Sequence, residues 1–223
     1  MSLPLTGPSR APASGGKATS LVVLLHGLGA DGQDLIDLAQ HLGPVLPDAA
    51  FVAPNAPQAC DMGPYGYQWF SLQDRTPSVM AAGVDQSAPV LAQFIERELA
   101  ARGLDASRLA LVGFSQGTMM SLYVGPRLSP GPAAIVGFSG ALLGPERLVA
   151  EKRSAPPVLL IHGDADQVVP FQAMAAAVAG LGAAGIPVDS LRRPGLGHGI
   201  DGPGLGAAAQ FLAKHLGPAP SQG

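Results

Sequence analysis

The chain has 223 residues, 47% of them hydrophobic and only 13% charged, a balance that favours a compact globule over a disordered chain. Its 13 Lys and Arg against 16 Asp and Glu give a formal net charge of -3, and no basic run appears, so nucleic-acid binding is not indicated. A single cysteine, Cys60, excludes an intrachain disulfide, fits a reducing compartment and reads as a buried or incidental thiol.

The opening residues lack the basic-then-apolar order of a secretory signal. The run LVVLL that follows them is far too short to span a bilayer, and no later run is long enough. The expectation is a soluble, cytoplasmic chain forming one domain over 1–223, with loose ends at 1–18 and 217–223.

Leu21 to Leu25 is continuously apolar and ends at HGLGADG, the pattern of a buried strand running into a glycine-rich turn. Leu35, Leu38 and Leu42 recur at helical spacing after it. Phe51 to Ala53 supplies a short strand stopped by Pro54. The stretch APQACDMGPYGYQWFSLQDRTPSV is turn-rich and gathers Tyr65, Tyr67, Trp69 and Phe70 in a chain with only 5% aromatic residues. It reads equally as a loop beside a substrate pocket or as a connector anchored by its aromatics. Val84, Ala88, Leu91, Ile95 and Leu99 mark an amphipathic helix, Leu109 to Val112 a strand, and Gln116 to Val124 a helix. Ala133–Phe138, Val158–His162 and Ile186–Leu191 are further strand candidates. FQAMAAAVAGLGAAG predicts a helix between the last two, and Leu205, Ala208, Leu212 and Leu216 one more at the end. Such alternation predicts a mostly parallel sheet with helices on both faces, its functional loops beyond the carboxyl ends of the strands.

GFSQG places Gly113, Ser115 and Gly117 between a strand-like and a helix-like segment, the context in which Gly-x-Ser-x-Gly presents a nucleophile on a sharp turn. A plain helix cap is the lesser reading. A serine hydroxyl needs a nearby base. Of the five histidines, His198 in GLGHGI follows the last strand candidate and is the best placed. His26 reads as a loop organiser, His162 as a strand-end residue or pocket wall, and His41 and His215 as helix residues. Asp166 in IHGDADQVVP is the candidate to orient His198, with Asp164 as its rival, more suited to tying down its own turn. The order Ser115, Asp166, His198 agrees with that of an α/β-hydrolase. The backbone N–H of Gln116 and that of Leu28 in HGLG are the candidate donors to an oxyanion. HGLGADG lacks the Gly-Lys-Ser/Thr end of a phosphate-binding P-loop and is a poor match to the dinucleotide rule.

With HGLGADG, WF, GFSQG, HGDADQVVP and GHG in this order, the sequence resembles the phospholipase/carboxylesterase family of serine hydrolases over about Leu21 to Leu216. The resemblance implies an α/β-hydrolase fold without a large separate cap and hydrolysis of small-molecule esters or thioesters through an acyl-enzyme. It implies no metal and no organic cofactor, and allows a homodimer. It places the catalytic roles on Ser115, Asp166 and His198 and the oxyanion donors on Leu28 and Gln116. Trp69 looks like the family's tryptophan beside the active site. Phe70 and Leu72 in the same stretch, with Val168 and Val169 after the acid, are the other pocket candidates. GADGQD departs from the turn of the protein-thioesterase branch and looks closer to small bacterial carboxylesterases. The expected activity is that of a serine carboxylesterase on short- to medium-chain esters. The alternatives are an acyl-protein thioesterase or lysophospholipase, an amidase or peptidase, and a non-catalytic ligand-binding hydrolase fold.

Overall fold

The computed structural model describes residues 4–217; segments 1–3 and 218–223 lie outside the described residues. In chain order come strands β1 (Ser9–Arg10) and β2 (Ser20–Leu25), helices α1 (Gly32–Ile36) and α2 (Leu38–Leu42), and β3 (Ala49–Val52). A hairpin of β4 (Gln58–Ala59) and β5 (Tyr67–Gln68) precedes α3 (Pro77–Ala100). Then follow β6 (Leu109–Phe114), α4 (Gln116–Val124), β7 (Ala134–Phe138), α5 (Pro145–Glu151), β8 (Val158–Gly163), α6 (Gln172–Ala183), β9 (Val188–Arg193) and α7 (Gly202–Leu216).

Seven strands pair in the order β1-β3-β2-β6-β7-β8-β9, all neighbours parallel except β1 against β3. The apolar runs that mark the inner strands are buried on both faces, as a parallel sheet covered on both sides requires. In β2, Leu21, Val23 and Leu25 pack with Leu91 and Ile95 of α3 and Met120 of α4. Val22 and Leu24 pack on the opposite face with Ile36 of α1, Leu42 of α2 and Leu212 of α7. One edge is the two-residue β1; the other, β9, carries Asp189, Arg192 and Arg193, charges that blunt it against further pairing.

Several elements differ from the sequence expectation. The leading segment is not loose over its described part. Ser9 and Arg10 pair with Val52 and Phe51, Asn55 N–H donates to the Thr6 carbonyl and Ser14 N–H to the Pro47 carbonyl. These bonds use backbone alone, so the side chains carry no signal of them. At the other end, Gly217 N–H still caps α7 on the Ala213 carbonyl. The single helix expected through Leu35, Leu38 and Leu42 is two short ones that break at Asp37. Helix α3 starts at Pro77, inside the stretch read as turns, because proline suits a first helical turn whose N–H groups lack partners anyway. Strand β9 begins after Pro187, two residues later than Ile186.

The inward face of α7 is the closing piece of one layer. Replacing the fully buried Leu212 by Ala is expected to lower stability by about 2–5 kcal/mol. Replacing the exposed Gln210 by Ala should change it by less than about 0.5 kcal/mol, with urea unfolding as the measurement.

Candidate active site

Strand β6 ends at Phe114 and α4 begins at Gln116, so the whole reversal falls on Ser115. Its backbone takes φ 54° and ψ -116°, a conformation that costs a residue with a Cβ about 1–3 kcal/mol. Packing enforces the turn. Ser115 N–H donates to the Phe138 carbonyl at 2.9 Å, extending the β6–β7 ladder, while α4 starts against the end of β2. A Cβ on Gly117 would run into the Leu25 carbonyl oxygen, and one on Gly113 into the backbone of Gly117 and Thr118. Both glycines of the motif are therefore steric requirements of helix and strands approaching this closely.

Helix α4 is buried along its whole length, so its polar side chains need internal partners. Ser121 Oγ donates to the Gly117 carbonyl, and Thr118 Oγ1 reaches the carbonyls of Gly113 and Phe138. The Gln116 side chain accepts from Trp69 N–H at 2.9 Å and donates to the Phe70 carbonyl at 2.7 Å. The Trp69 indole N–H in turn donates to the His26 carbonyl at 3.0 Å. His26 Nε2 accepts from Ala56 N–H at 3.0 Å, which leaves Nδ1–H to donate to the Gly27 carbonyl at 2.7 Å. One chain of contacts thus runs from the serine turn to the His26–Gly29 turn.

That chain corrects the expectation for two pocket candidates. Trp69 and Phe70 are 0% and 1% exposed and belong to the core beneath the site, so they position backbone and present no wall to a ligand. The Trp69 ring lies inward because its N–H finds the His26 carbonyl and its apolar body joins the core, neither of which is written in the local sequence. Leu72 is half-buried against the same core, Val169 is half-buried, and Val168 is 51% exposed.

Beyond β8, the Asp166 carboxylate is buried and receives three donors, with a second histidine close by. Val168 and Val169 N–H groups bind Oδ1 at 2.8 and 2.9 Å, His198 Nδ1 lies 2.8 Å from Oδ2, and His162 Nε2 lies 3.2 Å from it. Burial pushes the Asp166 carboxyl upward, but the hydrogen bonds from His198, Val169 and Val168 outweigh it and hold the group below the usual carboxylate range. His162 donates to the Val169 carbonyl at 2.9 Å. Its contact with the acid is a feature that the sequence reading missed, since that reading gave His162 only a strand-end or wall role.

Asp164 takes the other job in this turn. Its Oδ1 accepts from Gly195 N–H at 2.7 Å and its Oδ2 binds Arg192, whose hydrogen bond, with that of Gly195, holds the Asp164 carboxyl low. Ala165 N–H donates to the Leu196 carbonyl, and Gly163 has no side chain where the carbonyls of Leu196 and Gly197 pass. The loop that carries His198 is thereby tied to the end of β8. The Phe114 ring, beside Ser115 in sequence, packs on the His198 ring with centroids 4.9 Å apart. Ser115 is 9% exposed, and His198 is hydrogen-bonded to Asp166 but not to Ser115.

With Nδ1–H donated to Asp166, the neutral His198 ring carries its lone pair on Nε2, the form suited to take a proton. The N–H groups of Leu28 and Gln116 donate to no acceptor among the described residues. No group of three or more His, Cys, Asp or Glu among the described residues is arranged to hold a metal ion.

Sheet order, connectivity and the strained serine turn define an α/β-hydrolase. The family model described as Phospholipase/Carboxylesterase matches residues 10–216, and the chain belongs to that family and with it to the carboxylic ester hydrolases. Esterase YpfH of Escherichia coli is 31% identical over 200 residues, covering 89% of this chain and 82% of that one. A probable carboxylesterase of Oryza sativa is 30% identical, covering 94% and 82% of the two chains. Among solved structures, the crystal structure of esterase PE8 is 46% identical, covers 96% of this chain and 100% of its own, and superposes with a TM-score of 0.91.

His26 supplies a pH test of the turn. Burial lowers its pKa, the Gly27 hydrogen bond and the more distant Asp31 and Asp34 working the other way. A lowered folded-state value means that the unfolded chain binds the proton first, so the His26 contribution is complete above about pH 6.5 and is lost as pH falls below it. His215, lowered by burial and Lys214, adds a slope of the same sign. Urea midpoints should fall between pH 7.5 and 5.5 in the parent and fall less in His26→Gln, which is less stable throughout. An equal slope in both would assign the pH dependence elsewhere.

Proposed function

We propose that the protein is a serine carboxylesterase acting on short- to medium-chain esters through Ser115, His198 and Asp166. The observation that carries this reading is the imidazole of His198 held by a buried carboxylate at 2.8 Å, on a loop whose neighbouring contact is with the residue before Ser115. His198 Nε2 takes the Ser115 proton as Oγ attacks the ester carbon, and the carbonyl electron pair moves onto oxygen, where Leu28 and Gln116 N–H groups receive it. Collapse of this intermediate breaks the carbon–alkoxy bond, and the departing oxygen takes the proton from His198. Water then attacks the acyl-enzyme by the same route and releases the acid. The Ser115–His198 hydrogen bond forms when substrate is bound; such bonds are often long in free enzymes.

Asp166 keeps His198 in the required tautomer and stabilises its charged form. Its three hydrogen-bond donors favour the ionised form that this role needs. Val168, exposed, and Val169 and Leu72, half-buried, remain the candidate residues for the acyl side. The Dictyostelium acyl-protein thioesterase 1 homolog, 29% identical over 89% of this chain, keeps thioesters within the substrate series to be tested.

Ser115→Ala is expected to reduce kcat/KM for a short ester by more than about a thousandfold with an unchanged circular dichroism spectrum. Activity near that of the parent would reject the mechanism. Asp166→Asn should cost about 10³–10⁴-fold in kcat, and Asp164→Asn far less, because Asp164 braces the loop and does not touch the imidazole. The reverse order of effects would exchange their roles. On matched ester, thioester and amide substrates, the amide should be the poorest; amide preference would overturn the esterase reading.

A further inference from the structure

Two depressions meet on the side of the site where α1 and α2 face the start of α7. The first, of about 320 Å³, is lined by Gly27, Asp34, Leu35, Leu38, Phe114 and Ile200 among others. The second, of about 550 Å³, is lined by Leu38, His41, Ile200, Leu205 and Ala209 among others. Sharing Leu38 and Ile200, they form one groove that leads away from the serine turn. The first depression is lined by Gly27 and Phe114, both neighbours of the proposed nucleophile: a Cβ on Gly27 would be 3.2 Å from Ser115 Cβ and 3.3 Å from the Phe114 ring. Two of its walls belong to His198: Phe114 packs on its ring, and Ile200 follows it by two residues on the same loop.

We propose that this groove holds the alcohol half of the ester and selects apolar, uncharged alcohols. The proposal rests on the esterase reading above and adds a leaving-group preference to it. The leaving oxygen must accept the proton of His198 Nε2 as the carbon–oxygen bond breaks, so the alcohol lies on the His198 side of Ser115, where the groove opens. Leu35, Leu38, Ile200, Leu205 and Ala209 give the groove its apolar lining. Neither Lys nor Arg is among the residues that line it, and while Asp201 is neutralised by its ion pair with Arg193, Asp34 has no Lys or Arg partner among the described residues and disfavours an anionic group. An alcohol bearing a phosphate is therefore a poor occupant, and this argues against lysophospholipids as substrates.

Two substrate series test the assignment: acetate esters of alcohols from methanol to octanol, and methyl esters of acids from acetate to octanoate. With the parent enzyme, kcat/KM should rise by about two- to fourfold per added methylene along the alcohol series, fourfold being the value for a fully buried methylene. Leu38→Trp, which fills the junction of the two depressions, should abolish that rise while leaving the slope of the acid series unaltered. Ala209→Phe, farther along, should flatten only the longer alcohols. Octanol should inhibit the parent competitively and better than octanoate, a measurement that needs no variant. Flattening of the acid series by Leu38→Trp, no effect of either variant on either slope, or a rate gain from a phosphate on the alcohol would each overturn the proposal. Loss of all Ser115-dependent ester hydrolysis in the parent would instead overturn the esterase reading itself.

Discussion

The close approach of α4 to the end of β2 is the constraint from which the site follows. It leaves no room for a side chain at Gly117 and forces the chain to turn from strand to helix on one residue, Ser115, in a left-handed conformation. The cost of that turn is met by a helix buried on every side, whose side chains Gln116, Thr118 and Ser121 are bonded internally. Because Gln116 is fixed there, its amide fixes Trp69 and Phe70, and Trp69 fixes the backbone of His26. Serine and glycine turns are therefore joined in one assembly, the preorganisation that the proposed mechanism calls for.

Opposite this assembly stands a second one, built on the end of β8. Two aspartates two residues apart divide the work: Asp166 turns inward to the imidazole, and Asp164 turns outward to hold the loop through Gly195 and Arg192. His162, beneath them, is hydrogen-bonded to the Val169 carbonyl, and its Nε2 lies 3.2 Å from the acid. The carboxylate thus holds the imidazole through Nδ1 and leaves Nε2 without a partner among the described residues.

The sequence made the inner strands legible because both-face burial leaves continuous apolar runs, and it made α4 legible because the serine motif fixes its start. The geometry also agrees with reading Asp164 as the residue that ties the turn and His26 as a loop organiser. Less legible was whatever depended on backbone alone or on distant partners. β1 pairs through main-chain groups under the side chains Ser9 and Arg10, which carry no strand signal. Helix α5 has only seven residues, too few for a period to stand out. The aromatic stretch showed that Trp69 and Phe70 matter, but whether they face a ligand or the core was decided by Gln116 and His26, which lie far away in sequence. His162 touches Asp166 because the turn between them folds back on β8, a three-dimensional fact with no counterpart in spacing.

Central to the account is a hydroxyl at position 115 that is activated by the imidazole at 198. Its most direct measurement is labelling with a serine-directed fluorophosphonate, mapped by peptide mass spectrometry in the parent and in His198→Ala. The account predicts a single adduct, on Ser115, formed rapidly in the parent and much more slowly in the variant. A folded parent protein with Ser115 unlabelled, or equal labelling rates in the two proteins, would contradict it.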